Sequence, residues 1–293
     1  MQPKVIVTGA TGVIGSYAVP ILRRKGFEVI AASRSGSGAC GVSLDIHDAQ
    51  AVSELMASQR PDYLLHLAWN ISDGYSGSPE NLDWVASSLH LLKCFAANGG
   101  KRAVFAGTCY EYDLRYGFLS EDFTPLNAAT FYGTAKGSLY RLASEWTRCV
   151  NLSFAWGRIF MIYGRGERQE RIVPYIIDSF LQGKVPSIRY PYIQRDYMYA
   201  GDAADAMIAL MQSSYTGAVN IASGSAIPLC EIARKTALLM GCPVPEYHIV
   251  QEENIPPLIL GDTRRMNRVM GFMPLTSWEE GLTEMITWRK EIH

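Results

Sequence analysis

Short apolar runs alternate with amphipathic stretches through the first half of the chain. Residues 4–8 are apolar and β-branched, the make-up of a buried strand. Residues 13–25 read as a helix closed by Arg23-Arg24-Lys25-Gly26, a basic last turn followed by glycine. Strands are expected over Phe27–Ala32 and Val42–Ile46, a helix from Asp48 to Gln59 stopped near Pro61, and a strand over Tyr63–Ala68. A long helix follows over Asn81–Ala97, ended by Asn98-Gly99-Gly100. A strand over Ala103–Ala106, a helix over Tyr132–Cys149 and a strand over Leu152–Phe160 complete the series. This alternation specifies an α/β fold: a doubly wound, Rossmann-type parallel sheet with its ligand crevice at the carboxyl ends of the strands.

The pattern changes after about residue 163. Helices are expected over Ile172–Gln182, Asp202–Gln212, Leu229–Met240 and Trp278–Arg289, separated by turn-rich stretches with Pro186, Pro191, Pro243, Pro245, Pro256 and Pro257. The expected division is 1–163 for the Rossmann domain and 164–293 for a smaller α/β region over the crevice. The chain is free to interleave between the two.

Composition adds little against this picture. Of 293 residues, 48% are apolar and 19% charged, an ordinary globular profile. The net charge of −1, with no Lys/Arg block, argues against nucleic acid or an anionic membrane as partner. Cys40, Cys94, Cys109, Cys149, Cys230 and Cys242 are scattered, with no C-x-x-C or His/Cys cluster, so no metal is expected. No secretory-type segment precedes the first strand and no apolar run reaches about 18 residues, which points to a cytoplasmic protein with reduced thiols.

Two motifs carry the chemistry. Gly9, Gly12 and Gly15, with Thr11, Val13 and Ile14 between them, join the first strand to the first helix. Such a turn seats a dinucleotide pyrophosphate on a helix N-terminus. The second strand ends in Ser33-Arg34-Ser35. No carboxylate stands there for a ribose 2′-hydroxyl, and Arg34 can pair with a 2′-phosphate, so NADP(H) is favoured with NAD(H) possible. Arg34 stacked on adenine in solvent is the alternative. Asp45 and Ile46, closing the third strand, can meet the adenine.

Tyr132 and Lys136 stand four apart on one helical face. At ~4 Å and an effective dielectric of about 20, an ammonium favours a phenolate by roughly 4 kcal/mol, about three pH units before desolvation. That suits Tyr132 to general acid/base work. Thr108, ending the fifth strand after Gly107, can hydrogen-bond a substrate carbonyl.

Taken together, Thr8–Gly15, His66-Leu67-Ala68, Gly107-Thr108, Tyr132-x-x-x-Lys136 and Arg195-Asp196-Tyr197 resemble the extended short-chain dehydrogenase/reductase family. Within it the chain is similar to the nucleotide-sugar epimerases, dehydratases and 4-keto reductases. The likeness implies a bound nicotinamide cofactor and a nucleotide-diphosphosugar held by the C-terminal region. It implies Tyr132 as acid/base, Lys136 on the nicotinamide ribose, Thr108 on the reacting C–O, and Leu67, Ala68 and Trp69 along the cofactor.

The strand Gly157–Gly164 resembles the family's strand running from cofactor to substrate, with Phe160 on the cofactor side and Met161 where many members have Asn. By the same likeness Val173 sits near the base and Arg195 meets the diphosphate. Arg265, beside Arg264, then makes a late nucleotide contact. A surface ion pair with Asp196 is the alternative for Arg195. Trp69 and Tyr110 are also placed at the sugar, bordered by the loop Ile71–Pro79 and by Asp113, Arg115 and Tyr116. A homodimer through Asn81–Ala97 and Tyr132–Cys149 is implied.

Dehydratases of the group resemble Thr-Asp-Glu where this chain has Thr108-Cys109-Tyr110, so dehydration lacks its proton carriers. Cys109 is one position too early for the thiol of the epimerising reductases, and strand alternation turns it away. Two reactions remain, reduction of a 4-keto sugar and C4 epimerisation. Arg34 and the use of a reduced NADPH pool favour NADPH-dependent reduction of a nucleotide-diphospho-4-keto-6-deoxysugar. A C4-epimerase is the alternative, ahead of a non-catalytic NADP(H)-binding regulator and a reductase of non-nucleotide ketones.

Overall fold

The structure, a computed structural model, describes residues 2–36, 41–248 and 255–292; Cys40 lies outside them. The first half runs β1 (Lys4–Thr8), α1 (Val13–Arg24), β2 (Glu28–Ser33), β3 (Gly41–Ser43), α2 (Ala49–Gln59), β4 (Tyr63–His66), α3 (Asn81–Ala97) and β5 (Arg102–Thr108). After a 3-10 turn at Cys109–Glu111 come β6 (Phe118–Leu119), α4 (Phe131–Cys149), β7 (Ser153–Ile159) and β8 (Met161–Tyr163). The second half continues with α5 (Ile172–Leu181), β9 (Gln194–Tyr199), α6 (Ala200–Gln212), β10 (Gly217–Ile221), β11 (Ala226–Pro228) and α7 (Leu229–Met240). It closes with β12 (Leu258–Gly261), α8 (Arg264–Met270) and α9 (Trp278–Ile292).

Seven parallel strands form the main sheet in the order β10-β7-β5-β4-β1-β2-β3. Strand alternation splits its side chains between two cores. Val5, Val7 and Val104 pack under α1 and α6 on one face, while Ile6, Phe105 and Trp156 pack under α2, α3 and α4 on the other. The order reverses between β1 and β4, which opens the crevice where those two strands end.

The chain does interleave. After residue 163 it returns to the main sheet through α6 and β10, which pairs in register with β7. Arg102, at the start of β5, ties this return in place by donating to the last carbonyls of α6, Met211 O at 2.9 Å and Leu210 O at 2.8 Å. The remaining short strands form a small mixed sheet, β11-β9-β12-β6, with β8 also paired to β9. Helices α5, α7 and α9 enclose a separate core beside it. Glu284 of α9 accepts from Tyr17 of α1 at 3.2 Å and from Tyr199, holding this region against the first.

Candidate active site

The glycine turn is backbone-specified. Gly9 has φ +69°, and a Cβ there would lie 2.8 Å from Ala68 N; a Cβ on Gly15 would lie 2.2 Å from Gly9 O. Any side chain at either position breaks the turn or the packing of α1 on β1. Helix α1 starts without a side-chain cap, so its dipole and first N–H groups are directed to the crevice.

The crevice holds two cavities that share Gly9, Gly12, Ala68 and Trp69. The first, of about 410 Å³, is lined by Thr11, Ser33, Arg34, Asp45 and Ile46 as well. The Ser33 hydroxyl is buried there without a hydrogen-bond partner. An orphaned donor beside a glycine cradle fits a dinucleotide's ribose, so the residues present suit the expected cofactor. Ser35 is exposed and does not line this cavity, because the chain turns outward past Arg34. Val13, Ile14, Gly15, Leu67 and Phe160 line the second cavity, of about 440 Å³.

That second cavity also brings Thr108, Tyr132 and Lys136 together. Thr130 caps α4, its hydroxyl accepting from Gly133 N–H at 3.1 Å. Tyr132, Lys136, Leu139 and Ala143 then form the buried face. Thr108 lies within hydrogen-bonding reach of the Tyr132 phenol. Its backbone is fixed by Glu111, whose Oε1 accepts from Thr108 N–H at 2.9 Å and from Trp156 at 2.8 Å. The other oxygen of Glu111 binds Arg158 at 2.7 Å, with both side chains buried. Glu111 therefore positions Thr108 and does not itself line the cavity.

The expected Lys–Tyr coupling is reversed by desolvation. Lys136 Nζ donates to Ala106 O at 2.8 Å and lies 3.8 Å from the centre of the Trp69 ring. Burial pushes Lys136 down to about 7 and pushes Tyr132 upward, with neighbouring Tyr75 adding to the rise. Loss of water disfavours the charged form of each group when both are enclosed. His66 is structural: its ring bonds Thr8 at 2.6 Å and Ser88 at 2.9 Å, and burial then Lys136 hold it near 3. Trp69 is held by Asn81, which accepts its indole N–H at 2.9 Å.

Tyr110, Met161 and Arg195 line the second cavity. Arg195 is not paired with Asp196. Asp196 turns the other way and takes N–H donors from Ser223, Gly224 and Gly261. Cys109 is buried in a small core with Tyr112 and Phe160, outside the cavity, and burial pushes its thiol up.

Two expected substrate residues are corrected. Val173 is fully buried in the core of the second region, while its neighbour Ile172 reaches the cavity; one step along a helix turns a side chain by about 100°. Arg265 lies on α8, donating to Ala218 O at 3.0 Å and pairing with Asp122, away from both cavities. Arg264 is likewise engaged with Asp262, and Arg115 with Asp113. Sequence reasoning missed Glu167, Arg168, Arg171 and Ile193, and it gave no individual role to Tyr75 or Tyr197; all six line the second cavity. Among the described residues no cluster of His, Cys, Asp or Glu could hold a metal, and no helix is long and apolar enough to cross a membrane.

A glycine cradle at the switch point of a parallel sheet, with Thr108, Tyr132 and Lys136 buried beside it, defines an extended short-chain dehydrogenase/reductase-type enzyme. The chain belongs to the NAD dependent epimerase/dehydratase family, whose model matches residues 5–222. It is 32% identical over 168 residues to dTDP-6-deoxy-L-talose 4-dehydrogenase (NAD(+)) of Aggregatibacter actinomycetemcomitans, covering 55% of this chain and 62% of that one. It is 26% identical to UDP-glucose 4-epimerase of Neisseria meningitidis serogroup C, covering 83% and 84%. The solved structure of MoeE5 in complex with UDP-glucuronic acid and NAD superposes with a TM-score of 0.83 at 27% identity, covering 99% of this chain and all of that one.

Proposed function

We propose that the chain uses NADPH to reduce a nucleotide-diphospho-4-keto-6-deoxysugar at C4, with Tyr132 as proton donor. The observation that carries this reading is the buried, neutral Tyr132 phenol beside Thr108, in a site where no carboxylate follows Thr108 into the cavity. A bound nicotinamide supplies the hydride. Thr108 donates to the carbonyl oxygen, and Tyr132 gives that oxygen its proton as charge develops on it. Burial keeps Tyr132 protonated, the form a reduction needs at its start.

Arg195, from β9, suits the diphosphate. The apolar sugar end, with Ile172, Ile193 and Leu229, suits a 6-methyl group. At the other end, Arg34 and the unpartnered Ser33 hydroxyl suit a 2′-phosphate. The dTDP-6-deoxy-L-talose 4-dehydrogenase relative is named for hydride chemistry at the same carbon.

C4 epimerisation is the second reading, favoured by the UDP-glucose 4-epimerase relative and by the NAD bound in MoeE5. Incubation with a panel of nucleotide sugars separates the two. The reductase oxidises one NADPH for each 4-keto sugar consumed, read by reduced-nicotinamide absorbance. Conversion of a 4-hydroxy sugar to its C4 epimer with no added cofactor overturns reduction in favour of epimerisation.

A further inference from the structure

The sugar end of the second cavity contains one carboxyl group that neither the catalytic residues nor the phosphate-binding residues account for. Glu167 sits in the loop between β8 and α5 and lines the second cavity but not the first. The residue as a whole is half-buried, yet its Oε2 is buried without a hydrogen-bond partner. Such an oxygen is costly inside a protein unless a ligand completes it.

We propose that Glu167 is a sugar-contacting residue that selects for a ring hydroxyl on the nucleotide-sugar substrate. The inference rests on the nucleotide-sugar reading above. Three groups face the carboxyl: Arg171 at the N-cap of α5, Tyr197 from β9 and the Gly164 backbone. None closes an ion pair with it, and burial pushes Glu167 up to about 8 against the pull of Arg171. A neutral carboxyl near pH 7 both donates and accepts, and it does not oppose the phosphates of the substrate as a carboxylate would. Glu167, Tyr197, Tyr110 and Tyr132 all line the second cavity, so Glu167 belongs to the same chamber as the acid/base.

The test separates sugar from nucleotide. Isothermal titration measures UDP, dTDP and GDP against their 4-keto-6-deoxyhexose conjugates, each with NADP+ present so that no turnover occurs. The affinity gained on adding the sugar should fall roughly 10- to 100-fold in Glu167→Leu, the size of one lost buried hydrogen bond. The bare nucleotides and NADP+ should bind that variant as they bind wild type. Glu167→Gln, which also donates and accepts, should keep most of the gain. An unchanged gain in Glu167→Leu overturns the proposal, as does an equal loss of bare-nucleotide affinity, which marks a structural role. A wild-type protein that binds no nucleotide sugar better than its nucleotide overturns the parent reading together with this one.

Discussion

The two ends of the crevice are built differently. The end proposed for adenosine comes mainly from β1 through the loop after β4, joined by Trp84 of α3 and by Arg168, and its floor is set by backbone: Gly9 in a positive-φ turn, Gly15 against Gly9 O, and an uncapped helix start. The sugar end is assembled from the loop after β4, the end of β5, β8, the start of α5, β9 and α7, and its character is set by side chains. The backbone-built end tolerates almost no substitution and specifies a class of ligand. The side-chain-built end can vary residue by residue and specifies which member of the class is taken.

The strongest break in that comparison lies where the ends meet. Tyr132→Phe keeps the ring and its contacts with Trp69 and Tyr75 but removes the proton donor. Turnover should fall roughly 10²–10⁴-fold while NADPH binding, read by fluorescence, is retained. Full activity in this variant would remove Tyr132 from the chemistry.

Lys136 gives the next largest effect, and on stability. Its ammonium is disfavoured in the fold, with a pKa near 7 against an ordinary value of 10.5. The unfolded chain therefore binds more protons between those values, and wild-type stability rises with pH across that window. Lys136→Met removes the penalty. Set against the lost bond to Ala106 O, it should stabilise the protein by about 2 kcal/mol at pH 6, with the gain fading toward pH 10. Urea denaturation at the two pH values checks this. A variant less stable than wild type at pH 6 would show that the hydrogen bond outweighs the buried charge.

The same contrast explains what the sequence revealed. Strands β1, β2, β4, β5 and β7 carry continuous apolar runs because both faces are buried, and the glycine and Tyr-Lys spacings are local. Residues 217–221 gave no such signal: β10 is five residues in a turn-rich region and gains its place only by pairing with β7. The short strands of the small sheet are too brief to show a period. Val173, expected near the base, turns into the core one helical step from Ile172, and Arg265, expected at the nucleotide, is held by Asp122 from a distant loop. Glu167, Arg168 and Arg171 belong to no motif. The charged run after the Gly157–Gly164 strand was the available signal, and only folding showed which of its members face inward.

The smallest effect tests whether the adenosine end is purely backbone-built. Arg34 is exposed at the cavity rim, so a 2′-phosphate paired with it stays partly in water and the interaction is screened. Arg34→Ala should raise the KM for NADPH by about tenfold relative to NADH, with turnover unchanged at saturation. In the wild-type protein the same KM ratio should rise as salt is raised, since screening weakens only the charged contact. An unchanged NADPH-to-NADH ratio would mean that Arg34 reads nothing. The backbone would then accept either dinucleotide.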